Sequence, residues 1–205
     1  MKYILIAALG FGLLSGCSSD GTMINESTAK SNVENLFNAD VDLEHELSAS
    51  GKAVSDTTLS ADEKAGLIFM REEEKLARDV YTKMFQKYNT RIFLNISRSE
   101  QRHMDAIKYL LTFYNLPDPA QNTPPGIFVN AELQSLYNDL ILRGNVSLLE
   151  ALKVGRDIEI LDIADLEEQI TNVVTHANIL RVYRNLKSAS EQHLRAFNWH
   201  IQNNN

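Results

Sequence analysis

Leu67-Ile-Phe-Met70-Arg-Glu-Glu-Glu74-Lys-Leu-Ala77-Arg-Asp-Val-Tyr81-Thr-Lys-Met-Phe85 is the stretch from which the fold is read. Leu67, Met70, Glu74, Ala77, Tyr81 and Phe85 recur at intervals of three and four, so they share one face of a helix. That face is apolar except at Glu74, where a carboxylate interrupts it. Three further stretches repeat the pattern. Ile96, Glu100, His103, Met104, Ile107 and Leu111 form one stripe. Leu148, Leu152, Gly155, Glu159, Asp162, Ile163 and Leu166 form another, and Val182, Leu186, Ala189, His193, Ala196 and Phe197 a third. Four long helices are expected, each carrying polar groups inside its buried stripe.

A buried carboxylate is costly unless something neutralises it. Glu74, Glu100, Glu159 and Asp162 together carry −4, and two divalent cations carry +4. His103 and His193 can stay neutral and still offer nitrogen. Glu100-Gln-Arg-His103 sets a carboxylate and an imidazole one turn apart, and Glu159-Ile-Leu-Asp162 makes the same fork with two carboxylates. Each pair alone is a weak signal, and surface helices carry such pairs routinely. Their combination on four stripes is what points to a dimetal centre with metal ligands Glu74, Glu100, His103, Glu159, Asp162 and His193. Acid-rich ligation with one or two nitrogens suits iron, with manganese or zinc as the alternatives.

Competing readings exist for several of these groups. Glu72, Glu73 and Glu74 could be a solvated acidic run. Glu73 rivals Glu74, since Phe69, Leu76, Ala77 and Val80 give it apolar neighbours of its own. A single histidine in an apolar stripe, such as His193, is often a hydrogen-bonded core residue. His45, His176 and His200 read as structural or solvated. Tyr81 reads as core, with a hydroxyl able to hydrogen-bond a ligand carboxylate.

The ends of the chain set the wider organisation. Lys2, the apolar run Tyr3 to Leu14 and the box Leu14-Ser-Gly-Cys17 read as a bacterial lipoprotein signal, residues 1–16, with Cys17 as the lipidated group. The run is too short for a good membrane span. Residues 17–59 read as the lipidated cysteine and a flexible polar tether, with a short helical patch near Val33 to Leu47. A metal-binding domain is expected over 60–205. It opens on the capping box Ser60-Ala-Asp-Glu63. The first helix runs from about Ala61 to Tyr88. The second begins near Ser97 and ends near Tyr114, where Asn115-Leu-Pro-Asp-Pro119 stops it. A short helix spans about Ala131 to Arg143. The last two long helices cover about Ser147 to Gln169 and Ala177 to Ile201. The class is all-α: a four-helix bundle whose long second-to-third crossover carries the short extra helix and lets those two helices run parallel.

Composition excludes several classes. Cys17 is the only cysteine, which rules out an internal disulfide, a thiolate metal site and a cysteine nucleophile. The formal charge of −7 becomes −8 once residues 1–16, with Lys2, are removed. An acidic chain without a basic stripe is a poor match for nucleic acid. The expected partners are metal ions and, through the lipid, a membrane of the bacterial cell envelope. Ser18 after the cysteine suits the outer membrane. A homodimer is compatible with this reading.

Four blocks carry a family resemblance. Glu74-Lys-Leu-Ala77-Arg-Asp-Val-Tyr81 resembles the first-helix pattern of ferritins, bacterioferritins and rubrerythrins, and Glu100-Gln-Arg-His103 is similar to their second-helix Glu-x-x-His. Arg71 to Tyr81, Ser99 to His103, Ile158 to Leu166 and His193 to Phe197, taken in order, resemble the ferritin-like family called domain of unknown function 2202. The resemblance covers about Ala61 to Ile201 and implies a ferritin-like bundle with a di-iron-type site. It supplies no established reaction; iron bound at such a site would support ferrous oxidation by oxygen or peroxide, or peroxide reduction. Mineral storage fits poorly with a lipid tether. The chain departs from the wider ferritin pattern at Ser190, three before His193, where those proteins usually place a glutamate; Asp162 restores the count of acids. The alternative functions are a non-catalytic metal-binding or partner-binding helical module and, less favoured, a zinc hydrolase, for which no activated nucleophile is visible.

Overall fold

The computed structural model describes residues 58–203. The expected signal segment 1–16, Cys17, the tether to residue 57 with its helical patch and His45, and residues 204–205 lie outside the described residues. The described part is all-α, with five helices and no strand. They are α1 (Ala61–Tyr88), α2 (Arg91–Phe113), α3 (Ala131–Gly144), α4 (Leu148–Glu168) and α5 (Ala177–Asn203), with a π-helical turn at Gln169–Val173. Among these residues no helix is long and apolar enough to cross a membrane.

Local chemistry sets the boundaries. Ser60 caps α1 by accepting from the Glu63 amide at 3.1 Å, and Glu63 reaches back to the Ser60 amide at 2.9 Å. Asn89, left-handed at φ 51°, ends the helix. The second long helix starts at Arg91, earlier than the expected Ser97. Ile92, Phe93 and Ile96 all bury there, so the first turns of α2 are held by packing, since Thr90 makes no side-chain cap. The third long helix gives way to wider π turns at Gln169, where the chain must swing into α5.

The residue pairs that meet fix the topology. Arg71 reaches Met104, Glu74 meets His103, and the rings of Tyr81 and Phe93 lie 6.5 Å apart, so α1 and α2 are antiparallel. Gly155 lies against Phe197, and Glu159 against His193, so α4 and α5 are antiparallel as well. Tyr81 bonds Glu159 while Gly66 abuts Gln169, which makes α1 antiparallel to α4. Glu100 and Phe93 meet His193 and Phe197, in the same sense. The outcome is that α2 and α4 run parallel, and residues 114–147 must cross the length of the structure to join them.

That crossover is pinned by charged groups on the outer side of α1. Glu72 accepts from the amides of Val129 and Asn130 at 2.6 and 2.9 Å. Lys75 donates to Asp79 at 2.6 Å and to the carbonyls of Pro124 and Ile127. Arg71 pairs with Asp118 at 2.9 Å. The acidic run Glu72 to Glu74 is therefore no solvated face: all three side chains are buried, each with a different neighbour.

Candidate metal centre

The four long helices bring the six polar groups of their stripes to one place in the core, and all six are buried. Glu74 comes from α1, Glu100 and His103 from α2, Glu159 and Asp162 from α4, and His193 from α5. Two groups of three have the spacing of a metal site. Glu74, Glu100 and His103 each offer a ligand atom within 4.8 Å of the others, and so do Glu100, Glu159 and His193. Glu100 belongs to both.

The distances show how this is built. His103 Nδ1 lies 2.7 Å from Glu100 Oε2 and 3.2 Å from Glu74 Oε2. His193 Nδ1 lies 3.0 Å from Glu100 Oε1 and 3.4 Å from Glu159 Oε2. The two imidazoles stack at 5.7 Å, inclined by 23°. Glu100 therefore sits between them with one oxygen toward each. The Tyr81 hydroxyl donates to Glu159 Oε1 at 2.6 Å and fixes that carboxylate from behind. Tyr81, Phe93 and Phe197 close the floor with ring centroids 5.3 to 6.5 Å apart.

The electrostatics are those of acids crowded out of water. Burial pushes Glu74 up to about 7, against the pull of His103. Burial and the charges of Glu74 and Glu159 hold Asp162 well above the ordinary aspartate value. Burial raises Glu159 too. Glu100 moves the other way: burial opposes its charge, yet His103 and His193 hold it below the usual carboxylate range. Against burial, Glu100 and Glu159 lift His193 to about 10, and Glu100 and Glu74 raise His103. Each of these shifts favours proton binding except that of Glu100, so protons and cations would compete for this place. Glu74 Oε1, His103 Nε2 and Asp162 Oδ1 still lack a hydrogen-bond partner, and the 3.0 Å contact of His193 Nδ1 with Glu100 Oε1 lacks hydrogen-bond geometry. Buried polar atoms are seldom left unsatisfied. This donor set, carboxylate oxygens with two imidazoles, could hold a metal ion.

Asp162 belongs to neither group of three. It lies close enough to feel Glu74, Glu159 and Glu100, and Ser190 steadies its carboxyl. Ser190 is fully buried and also donates to the Leu186 carbonyl at 3.0 Å. Glu73 points away from the two groups toward Asp165, with which it shares a hydrogen bond. Asp165 was not singled out by the stripes. The available signal was its position three residues beyond Asp162, on the same side of α4. Of the remaining histidines, His176 Nδ1 pairs with Glu63 at 2.7 Å near the start of α5, and His200 is part-buried against Trp199.

Over residues 63–205 the chain matches the family described as an uncharacterized protein domain, DUF2202. It belongs to that family. An uncharacterized protein of Methanocaldococcus jannaschii, MJ0754, is 53% identical over 139 residues, 68% of this chain and 75% of that protein. A crystal structure described as hypothetical protein MJ0754 from Methanococcus jannaschii superposes with a TM-score of 0.71 at 49% identity. That match covers 74% of this chain and 86% of the other.

Proposed function

We propose that this chain is a ferritin-like four-helix bundle holding two divalent metal ions, iron in the first place, and that it oxidises ferrous iron or reduces peroxide. The observation that carries the reading is the sharing of Glu100 by two buried groups of three. Glu74 and His103 complete one group, and Glu159 and His193 the other. Asp162 supplies the further acid that the charge balance asks for. Two iron ions held there would supply the electron pair that reduction of oxygen or peroxide needs.

The protein's own part is positional. Glu100 ties the two halves together. Tyr81 holds Glu159, and Ser190 holds Asp162. The Tyr81–Phe93–Phe197 floor keeps water away, which strengthens every charge interaction inside. Cations that bind there compete with protons for the same carboxylates and imidazoles. An envelope location is part of the proposal. It rests on Leu14 to Cys17 and on the polar residues that follow.

Metal analysis of protein purified without chelator tests the reading. About two equivalents of metal are expected in the wild type. Glu100→Ala should lose both, because it serves both groups. His103→Ala should lose the metal of the Glu74 group first. Iron-loaded protein should show near-ultraviolet absorption that bleaches on reduction. Wild-type protein that takes up no divalent metal would end the proposal. Ser190 favours one second reading, since the ferritin pattern has a carboxylate there: a helical module that keeps metal without turnover. Metal binding without any ferrous oxidation or peroxide consumption would select it.

A further inference from the structure

Glu100 serves two groups of ligands, and the groups are unequal. Around His103 Nδ1, Glu100 Oε2 lies at 2.7 Å and Glu74 Oε2 at 3.2 Å. Around His193 Nδ1, Glu100 Oε1 lies at 3.0 Å and Glu159 Oε2 at 3.4 Å. The first set of atoms is the more closely gathered. It is also the better shielded. The side chains of Glu74, Glu100 and His103 are 1–2% exposed, and that of His193 is 9% exposed. Among the ligands of the two groups, His193 comes nearest to water.

The carboxylates differ too. Glu74 Oε1 has no hydrogen-bond partner, so Glu74 can offer a second oxygen to a cation. Glu159 is not free to do so, because its Oε1 accepts from the Tyr81 hydroxyl at 2.6 Å. That leaves Glu159 Oε2 to face His193. Tyr81 is itself fixed: its hydroxyl lies 3.3 Å from the Gly155 carbonyl, and its ring packs on Phe93 and Phe197. The number of ligand oxygens and the access of water both govern how long a site keeps a divalent cation. Fewer oxygens, longer spacings and a wetter imidazole all weaken the second group.

We infer that the centre has one retaining and one exchanging position, and that Tyr81 governs the second. The Glu74–Glu100–His103 position keeps its cation as a resident part of the protein. The Glu100–Glu159–His193 position takes up and gives up its cation on the side of His193, and is the place for ferrous ion as a substrate. This inference rests on the metal-centre reading proposed above. Tyr81 is a positioning residue: it aims Glu159 Oε2 at the other ligands without touching the cation. Removing its hydroxyl frees Glu159 Oε1, but it also lets the carboxylate turn. Loss of such support weakens metal binding by about 10–100-fold, so the lost aim outweighs the extra oxygen.

In the experiment the full chain is loaded with cobalt(II) and mixed with excess chelator in a stopped-flow spectrometer. The visible cobalt bands report release without any turnover. Wild-type protein should lose cobalt in two phases of about one equivalent each, the fast one about tenfold quicker or more. His193→Ala should abolish the fast phase and keep the slow one. Tyr81→Phe retains the ring against Phe93 and Phe197 and should quicken the fast phase about tenfold, with the slow phase unchanged. Release of both equivalents in a single phase overturns the inference and leaves the metal centre standing. A fast phase that Tyr81→Phe leaves at its wild-type rate does the same. So does equal quickening of both phases, which a general loosening of the core would give. Loss of both phases in His193→Ala also overturns it, because the first position would then depend on the second. If the wild type takes up no cobalt, the metal centre and the exchanging position fall together.

Discussion

Glu63 shows how much one side chain can do at the edge of this protein. It completes the cap of α1 and, through the same carboxylate, accepts from the Thr175 amide and hydroxyl and from His176. Burial opposes its charge, but those donors hold its pKa down to about 2, from an ordinary 4.5. A depressed carboxylate stabilises the fold above its unfolded pKa and loses that contribution as pH falls through the folded one. The relevant window is therefore pH 4.5 down to about 2. Glu63 is shut off from solvent in the first turn of α1. Allowing for screening, its ionised form contributes about 1–2 kcal/mol. Glu63→Gln should cost that much in urea unfolding near neutral pH, and the gap from wild type should close by pH 2. A gap that persists unchanged at pH 2 would rule out the charge as its source.

Gly155 makes a second prediction at this scale. A Cβ there would run into the Phe197 ring, which is fully buried among Tyr81 and Phe93 and has nowhere to move. Alanine gains up to about 1 kcal/mol in helix propensity. Overpacking of a rigid ring costs about 1–3 kcal/mol and wins. Gly155→Ala should lower stability in denaturant unfolding, and Gly155→Ala with Phe197→Leu should recover part of the loss. The stripe has a phase, with Glu74 in register with Leu67, Met70 and Tyr81 and Glu73 about 100° round the helix, but apolar neighbours on both sides left the choice between the two acids open in the sequence. What could not be read was the partner of Glu73, since Asp165 lies on another helix and no local rule pairs the two.

At the scale of elements, period and punctuation gave α1 at both ends, because Ser60–Glu63 is a capping box and Asn89 ends the turn. The start of α2 was read late. Its first turns carry no cap signal and are held by Ile92, Phe93 and Ile96 packing on neighbours that sequence spacing does not reveal. The crossover was legible in length but not in attachment. Its anchors are long-range: Lys75 to Pro124 and Ile127, Asp79 to Gly126, and Glu72 to Val129 and Asn130. Lys75 is almost wholly buried and lies 4.4 Å over the Phe128 ring. Removing it leaves the Asp79 carboxylate to Arg78 and the Gly126 amide and strands the two carbonyls. Lys75→Met should therefore cost about 1–3 kcal/mol. Hydrogen exchange should quicken across residues 124–130, while the bonds between α4 and α5 keep their protection. Uniform loss of protection over all helices would instead mean that the crossover and the helices unfold as one unit.

At the scale of the whole, the described residues form two antiparallel hairpins, α1–α2 and α4–α5, joined by the crossover with α3 and meeting over a core that is apolar at its ends and acidic in its middle. The ends cohere by burial: Leu67, Met70 and Ile179 toward one side, and Tyr81, Phe93 and Phe197 toward the other, are shielded from water. The middle holds Glu74, Glu100, Glu159 and Asp162 against the imidazoles of His103 and His193, and burial raises the pKa of Glu74, Glu159 and Asp162. A cation that binds there favours the folded state only, since the unfolded chain scatters those ligands over four segments more than a hundred residues apart at their extremes. Stabilisation then follows RT ln(1 + [L]/Kd), about 2.7 kcal/mol at a hundredfold excess over Kd. For a domain of this size that raises Tm by about 5–10 °C. Thermal unfolding followed by circular dichroism should show this rise with manganese(II) or cobalt(II), and a chelator should reverse it. Magnesium should do less, because it gives up its water reluctantly and gains nothing from imidazole. Glu100→Ala should remove the response to either transition metal, having lost the one carboxylate common to both groups of ligands. An equal rise with magnesium, or an undiminished rise in Glu100→Ala, would place the cations on the acidic surface instead of between the hairpins.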